Sequence, residues 1–296
     1  MLKNIIKEKY EFIDGDVPIS FGAFGQIFRI RDKKVKTEYI LKKLIKKDPK
    51  NLMKNGTDKI SFENEVNSLK NVKGKNILNI IDYYSDDNDK YYYIVLEKMD
   101  GDLDNLLKEK YPKGMSSKLI RKIFSQINSG LKSILNKGKC HRDLKPSNIL
   151  ISYINDEKTD FIIKLGDFGL ITDLNQTEYA SNVGSKLFKA PEVEIDKYSN
   201  KCDLYSIGII LYLLKTGEYI FDGKREIEIL MNKENNKIKK DTDDKLLNKL
   251  IKKLVVKDPH KRMEWNEYFE DPFFKVNDEN IEYNECKIKN LIYIIY

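Results

Sequence analysis

Short apolar runs broken by polar clusters fill the first hundred residues. Ile27-Phe28-Arg29-Ile30, Tyr39-Ile40-Leu41 and Tyr91-Tyr92-Tyr93-Ile94-Val95-Leu96 are rich in β-branched and aromatic side chains, with Gly, Asp, Asn and Lys between them. That is the pattern of strands joined by turns. One stretch has another period: Phe62, Val66, Leu69 and Val72 recur at helical spacing. After Met99 the pattern turns helical. Leu119-Ile120, Ile123-Phe124, Ile127 and Leu131 form one stripe, and Ile207 to Leu214 is nearly all apolar, as in a buried helix. The expectation is an α+β chain in two lobes. Residues 1–99 form a small antiparallel β-sheet lobe with one main helix, and residues 100–296 form a larger, mainly α-helical lobe. The cleft between lobes is the natural place for a ligand.

Composition narrows the class. A chain of 296 residues can bury roughly three quarters of its unfolded surface. The hydrophobic share is 41% and the charged share 34%, and no apolar run approaches the ~20 residues of a membrane helix. Met1-Leu2-Lys3-Asn4 has neither a signal-peptide core nor a glycine at position 2. Cys140, Cys202 and Cys286 are odd in number and far apart, which fits a reducing cytoplasm or nucleus rather than a disulfide framework. The net charge of +7 comes with lysine clusters at Lys42–Lys54 and Lys233–Lys253. A solvated surface is the plain reading; acidic substrates, acidic partners or anionic headgroups are the other. No base-reading nucleic-acid module is visible. Nothing points to an oligomeric state.

Two segments carry the chemistry: His141-Arg142-Asp143-Leu144-Lys145-Pro146-Ser147-Asn148, and Asp167-Phe168-Gly169 soon after. Phosphoryl transfer needs a positioned hydroxyl, a metal-held triphosphate and fixed positive charge. Asp143 can orient a hydroxyl proton and Lys145 can meet the γ-phosphate. Asn148 and Asp167 offer the oxygen ligands that Mg²⁺ prefers. A lone Asp-Phe-Gly is only a hydrophobic turn. The eight-residue loop followed by it at this distance resembles the catalytic and metal loops of the eukaryotic protein kinases, and further motifs follow in that family's order from about Ile19 to Phe274.

That resemblance implies a protein-kinase-like fold and a set of roles. Ile19-Ser20-Phe21-Gly22-Ala23-Phe24-Gly25-Gln26-Ile27 resembles the glycine-rich loop over the nucleotide phosphates, with Ser20 in place of the first glycine. Lys42 matches the phosphate-anchoring lysine. Its neighbour Lys43 competes for that place, and strand alternation puts only one of them on the nucleotide side. Glu65 matches the helix glutamate that pairs with the lysine; Glu63 faces elsewhere on a helix. Leu96-Glu97-Lys98-Met99 matches the hinge, with Leu96 as gatekeeper and the backbone of Glu97 and Met99 on the adenine edge. Asp102 matches a ribose contact, and Ile27, Ile40 and Leu150 would sandwich the ring. Ile40 stands where the family usually has alanine, so it should crowd adenine.

The same resemblance makes Ala190-Pro191-Glu192 the end of an activation segment and Arg262 the partner of Glu192. Asp203 would support the catalytic loop, and His141 would be a scaffold residue. Arg142, next to the catalytic aspartate, implies a regulatory anion, for which Ser181 is the first candidate and Ser185, Tyr179 and Thr177 are alternatives. Lys145 within its loop resembles the serine/threonine-specific class, and Ser147 argues against a strong preference for arginine ahead of the target. The expected enzyme transfers the γ-phosphate of ATP, with Mg²⁺ or Mn²⁺, to Ser/Thr hydroxyls of protein substrates. Its subfamily stays open among autophagy-initiating, calcium/calmodulin-type and mitotic kinases. The competing readings are a pseudokinase scaffold without phosphotransfer and a small-molecule kinase. The first lacks one of Lys42, Asp143, Asn148 and Asp167; the second lacks Ala190-Pro191-Glu192 and its arginine.

Overall fold

The computed structural model describes residues 2–22, 25–47, 56–86, 89–173, 186–194, 200–235 and 238–276. The elements are, in chain order, α1 (Leu2–Lys9), β1 (Tyr10–Phe12), β2 (Ser20–Gly22), β3 (Gly25–Asp32), β4 (Glu38–Ile45), α2 (Lys59–Asn71), β5 (Ile80–Tyr84), β6 (Tyr91–Glu97) and β7 (Gly101–Asp102). Then come α3 (Leu103–Lys110), α4 (Ser117–Leu135), β8 (Lys139–Cys140), β9 (Ile149–Tyr153), β10 (Phe161–Leu165) and β11 (Thr172–Asp173). The last are α5 (Pro191–Glu194), α6 (Cys202–Thr216), α7 (Glu226–Glu234), α8 (Lys245–Leu254) and α9 (Trp265–Phe269). They group into two compact units. One is Met1–Asn105 with Ser129–Gln176; the other is Leu106–Asn128 with Thr177–Tyr296.

The first unit is organised by an antiparallel sheet in the order β1-β3-β4-β6-β5, with β2 also paired to β3. Register decides what each face carries. Ile40 pairs with Leu96, and Lys42 pairs with both Ile27 and Ile94, so these residues share one face. Leu44 and Tyr92, also paired, lie on the same face. The α2 helix covers it there: Phe62 stacks on Tyr92 with ring centroids 4.3 Å apart. The opposite face carries Phe28, Ile30, Leu41, Tyr93 and Val95, and these form one buried cluster with Ile6 of α1 and Tyr10 of β1.

The periodic sequence gave α2 its apolar stripe, and Asp58 caps it, its carboxylate accepting from the Ser61 amide at 2.8 Å. The loop after α2 is fastened to β10. The Asn76 side chain donates to the Ile163 carbonyl at 2.7 Å, and the Leu165 amide donates to the Asn76 carbonyl at 2.9 Å. Helices α3 and α4 follow Met99 as expected, and short strands the helical pattern did not show lie around them: β7, β9 and β10 form a three-stranded sheet and β8 pairs β11. Ile149, Ile151, Phe161, Ile163 and Leu165 are buried and alternate with less buried neighbours. These runs are too short for a helical period to show.

The second unit is helical. Every residue of α6 from Cys202 to Leu214 is buried. Gly208 lets α8 approach: a Cβ there would lie 2.6 Å from Val255 and 2.9 Å from Leu254. Leu247, Leu250, Ile251 and Leu254 are the buried stripe of α8, whose start Asp244 caps by accepting from the Leu246 and Leu247 amides.

Candidate active site

Lys42 sits in β4 on the face that α2 covers. Its Nζ lies 2.7 Å from Glu65 Oε1 and 3.2 Å from Asp167 Oδ1. Lys43 is on the other face, its ammonium 3.9 Å from the centroid of the Tyr91 ring. Alternation therefore sets the two lysines on opposite faces of the sheet. Glu65 is buried and Glu63 is exposed, as expected for positions two apart on one helix.

Burial pushes the Glu65 carboxyl up, against the pull of the Lys42 ammonium. Asp167 is held below the usual carboxylate range, chiefly by the charge of Lys42. Burial works against the Lys42 ammonium, but the charges of Asp167 and Glu65 outweigh it and raise its pKa. One cation thus serves two carboxylates, and Asp167 keeps its negative charge more firmly than Glu65. The Asp167 side chain is 45% exposed even with Oδ1 bonded to Lys42.

Asp167 has φ 56° and Arg142 has φ 67°. Both are left-handed positions that non-glycine residues rarely occupy, and such strain concentrates at functional sites. Phe168 fixes the first of them. It is 1% exposed, on a one-turn 3₁₀ segment packed against α2, with its ring 5.6 Å from His141. His141 is fully buried and both of its nitrogens are engaged. Nε2 is 2.9 Å from the Gly166 carbonyl, which can only accept, so Nε2 carries the proton; Nδ1 then accepts from the Asp143 amide at 3.4 Å. The ring joins the two loops and has no nitrogen left to act as a base.

Asp143 Oδ2 accepts from Lys145 Nζ at 2.7 Å and from Asn148 Nδ2 at 2.9 Å. Asn148 Nδ2 also donates to the Asp143 carbonyl at 2.8 Å. Two acceptors around the amide nitrogen fix its orientation, which leaves Asn148 Oδ1 as a ligand oxygen. Among the described residues no group of three His, Cys, Asp or Glu side chains could hold a metal. Mg²⁺ bound with nucleotide does not need one, because it takes one or two protein oxygens and fills the rest with phosphate and water. Asn148 and Asp167 fit that demand.

The region assigned to the base is apolar, with Ile27, Ile40 and Leu96 on the Lys42 face and Leu150 beside Gly166, where a Cβ would meet its Cδ1 at 2.9 Å. Ile19 precedes β2 and its amide donates to the Ile27 carbonyl at 2.8 Å, Ser20 starts the strand, and Gly22 pairs with Gly25 across the hairpin. Gly25 is required by packing: a Cβ there would lie 2.1 Å from the Lys43 carbonyl. Met99 is half-buried just beyond β6. The Asp102 carboxylate caps α3 by accepting from the Asn105 amide at 2.9 Å. Sequence reasoning passed over the side chain of Glu97. It accepts from Lys164 Nζ at 2.6 and 2.8 Å and from the Asn79 amide at 2.6 Å, so it joins β6 to β10. Only tertiary pairing brings those three residues together.

In the second unit, Arg262 is fully buried and grips Glu192 with two bonds, Nη1 to Oε1 at 2.6 Å and Nη2 to Oε2 at 3.0 Å. It also donates to the carbonyls of Lys201 and Val256. Asp203 is 1% exposed in the first turn of α6. Ser181, with Thr177, Tyr179 and Ser185, lies outside the described residues.

Residues 16–274 match the family described as "Protein kinase domain". Calcium-dependent protein kinase 4 of Plasmodium falciparum is 36% identical over 219 residues, covering 73% of this chain and 39% of the relative. Serine/threonine-protein kinase ATG1 of Debaryomyces hansenii is 27% identical over 314 residues, covering 90% of this chain and 35% of its own length. A probable serine/threonine-protein kinase of Dictyostelium discoideum, fhkE, is 31% identical over 268 residues, 86% of this chain and 37% of the relative. The chain thus spans about two fifths of the length of these relatives.

Proposed function

The chain belongs to the protein kinase family, and from that premise we propose that it transfers the γ-phosphate of ATP to serine and threonine hydroxyls of protein substrates. One observation carries the reading: a single ammonium, Lys42, bonded to both Glu65 and Asp167, in the same compact unit as the Asp143–Lys145–Asn148 cluster. A pseudokinase would be missing one of these groups, and all are present and engaged.

The roles follow from which atoms stay available. Lys42, held by Glu65, meets the α- and β-phosphates. Asp167 and Asn148 Oδ1 hold Mg²⁺, which neutralises phosphate charge when bound; Mn²⁺ suits the same oxygens. Asp143 orients the substrate hydroxyl through Oδ1, while Asn148 keeps its bond to Oδ2. Lys145 turns from Asp143 to the γ-phosphate as negative charge spreads over the transferred group. Ile27, Ile40, Leu96 and Leu150 enclose the adenine, the backbone of Glu97 and Met99 reads its edge, and Asp102 meets the ribose. Residues 1–99 form the nucleotide-binding lobe and residues 100–296 the substrate-binding lobe. A phosphate on Ser181 acts as the activating anion. Cys140 and Cys202 are buried and form no disulfide, which supports a reducing cytoplasm or nucleus.

The test is transfer of labelled phosphate from ATP, with Mg²⁺, to a generic acceptor protein, followed by analysis of the labelled amino acids. Label on serine and threonine supports the reading. Label on tyrosine alone, or none with either metal, overturns it. Mass spectrometry of enzyme incubated with Mg-ATP, with rates for Ser181→Ala, decides the regulatory part.

A further inference from the structure

The α1 helix and β1 lie ahead of residue 16, where the family match begins, yet they are built into the sheet that carries Lys42. Ile6 and Tyr10 are each 1% exposed within the cluster on the face opposite Lys42. The end of α1 is fastened on two sides. The Lys33 side chain donates to the Lys7 carbonyl at 2.6 Å, and the Lys33 amide donates to the Lys9 carbonyl at 3.0 Å.

Lys9 makes the contact that matters. In the strand order, β1 and β5 are opposite edges, four steps apart, or about 19 Å in a flat sheet at the usual strand spacing. Yet Lys9 Nζ is 2.7 Å from Asp82 Oδ2 of β5. The sheet therefore curls until its edges meet, and side chains close the seam. Tyr84 donates to the same Asp82 oxygen at 2.7 Å, and the Lys9 ammonium lies 5.2 Å from the Tyr10 ring. The chain of contacts continues toward the chemistry. The Tyr83 amide donates to Asp82 Oδ1 at 2.9 Å. Lys70 of α2 sits 4.5 Å from the Tyr83 ring centroid and donates to its hydroxyl at 3.2 Å. The same helix presents Glu65 to Lys42.

We propose that α1 and β1 are a built-in strap. By bonding Lys9 to Asp82 they pin β5, and through Tyr83 and Lys70 they hold α2 where Glu65 reaches Lys42. Lys9, Asp82 and Lys70 are positioning residues that act through Glu65. The catalytic part of this rests on the phosphotransfer reading; the mechanical part does not.

The experiment uses the full chain with Lys9→Met, Asp82→Asn and Lys70→Met, each checked for folding by its melting transition. Backbone amide exchange is read across α2, and phosphotransfer is read at saturating ATP. Each variant should speed exchange in α2 about tenfold and lower kcat about fivefold, with the KM for acceptor protein unchanged. In a Glu65→Gln background the same changes should lower kcat no further. Unchanged α2 exchange in all three variants overturns the strap. So does an equal loss of kcat with and without Glu65, because the effect would then bypass that residue. Asp82→Asn keeps the shape of the side chain and Lys70→Met leaves the Lys9–Asp82 contact in place, so one unfolded variant does not decide the matter. If the wild-type chain transfers no phosphate, the functional reading fails, while amide exchange still tests the strap.

Discussion

Two glutamate–cation pairs, one in each compact unit, show opposite designs. Lys42 meets Glu65 through one bond, shares itself with Asp167, and keeps 20% of its side chain exposed. Arg262 meets Glu192 through two bonds, spends its remaining donors on backbone carbonyls, and is fully buried. A lysine ammonium is a compact charge on a flexible stem, whereas guanidinium is a rigid fork. The first pair can exchange a carboxylate for a phosphate oxygen without a large rearrangement. The second has no donor left to offer. The lesson is that the saturation of the cation's bonding, more than the presence of an ion pair, separates a working contact from a brace.

Arg262→Ala is the hardest test of the brace. Removing one partner of a buried pair leaves the other charge uncompensated, so about 3–5 kcal/mol of stability should go, read as an earlier denaturant midpoint. A loss below about 1 kcal/mol would place the Glu192 pair with ordinary surface contacts. Lys42→Met should do the reverse, as should Asp167→Ala. Phosphotransfer should fall at least a hundredfold, about 2.7 kcal/mol of barrier, while the chain stays folded. Either variant working at the wild-type rate would break the site assignment.

Ile40→Ala sharpens the comparison within the first unit, between its charged and its apolar end. Ile40 shares the Lys42 face two residues away, and excess bulk in a packed site costs roughly 1–3 kcal/mol. Tighter binding of ATP and of flat adenine mimics is expected by calorimetry; equal or weaker binding refutes the crowding. The smallest effect concerns acid. Burial would raise the Asp82 carboxyl, but its bonds from Lys9, Tyr84 and the Tyr83 amide hold it below the usual range. A lowered folded pKa stabilises above the unfolded value, about 4, and that contribution is lost as pH falls through the folded value. Stability should therefore be flat in this respect from pH 8 to 5 and fall below 4, and Asp82→Asn should flatten that acid limb. A change of slope between pH 6 and 8 instead would assign the titration to another group.

The cluster around Asp143 was legible because its contacts are local. Asp143, Lys145 and Asn148 bond one another within six residues of chain, so sequence spacing already encodes the cluster. The α2 stripe and the choice of Lys42 over Lys43 were legible because helix and strand periods fix which way a side chain faces. Other features depended on residues far apart in the chain. Nothing near Glu97 announces Lys164, 67 residues on, and nothing near Lys9 announces Asp82, 73 residues on. The strands between 101 and 173 escaped the helical expectation because each is five residues or shorter, and partners elsewhere in the chain supply their hydrogen bonds. The sequence by itself determined the family of the chain, its local side-chain clusters and the faces that helix and strand periods assign. The curl of the sheet, the clamp on Glu97 and the tie from α1 to β5 were decided by tertiary structure, because long-range pairing depends on how distant segments pack and leaves no local period to read.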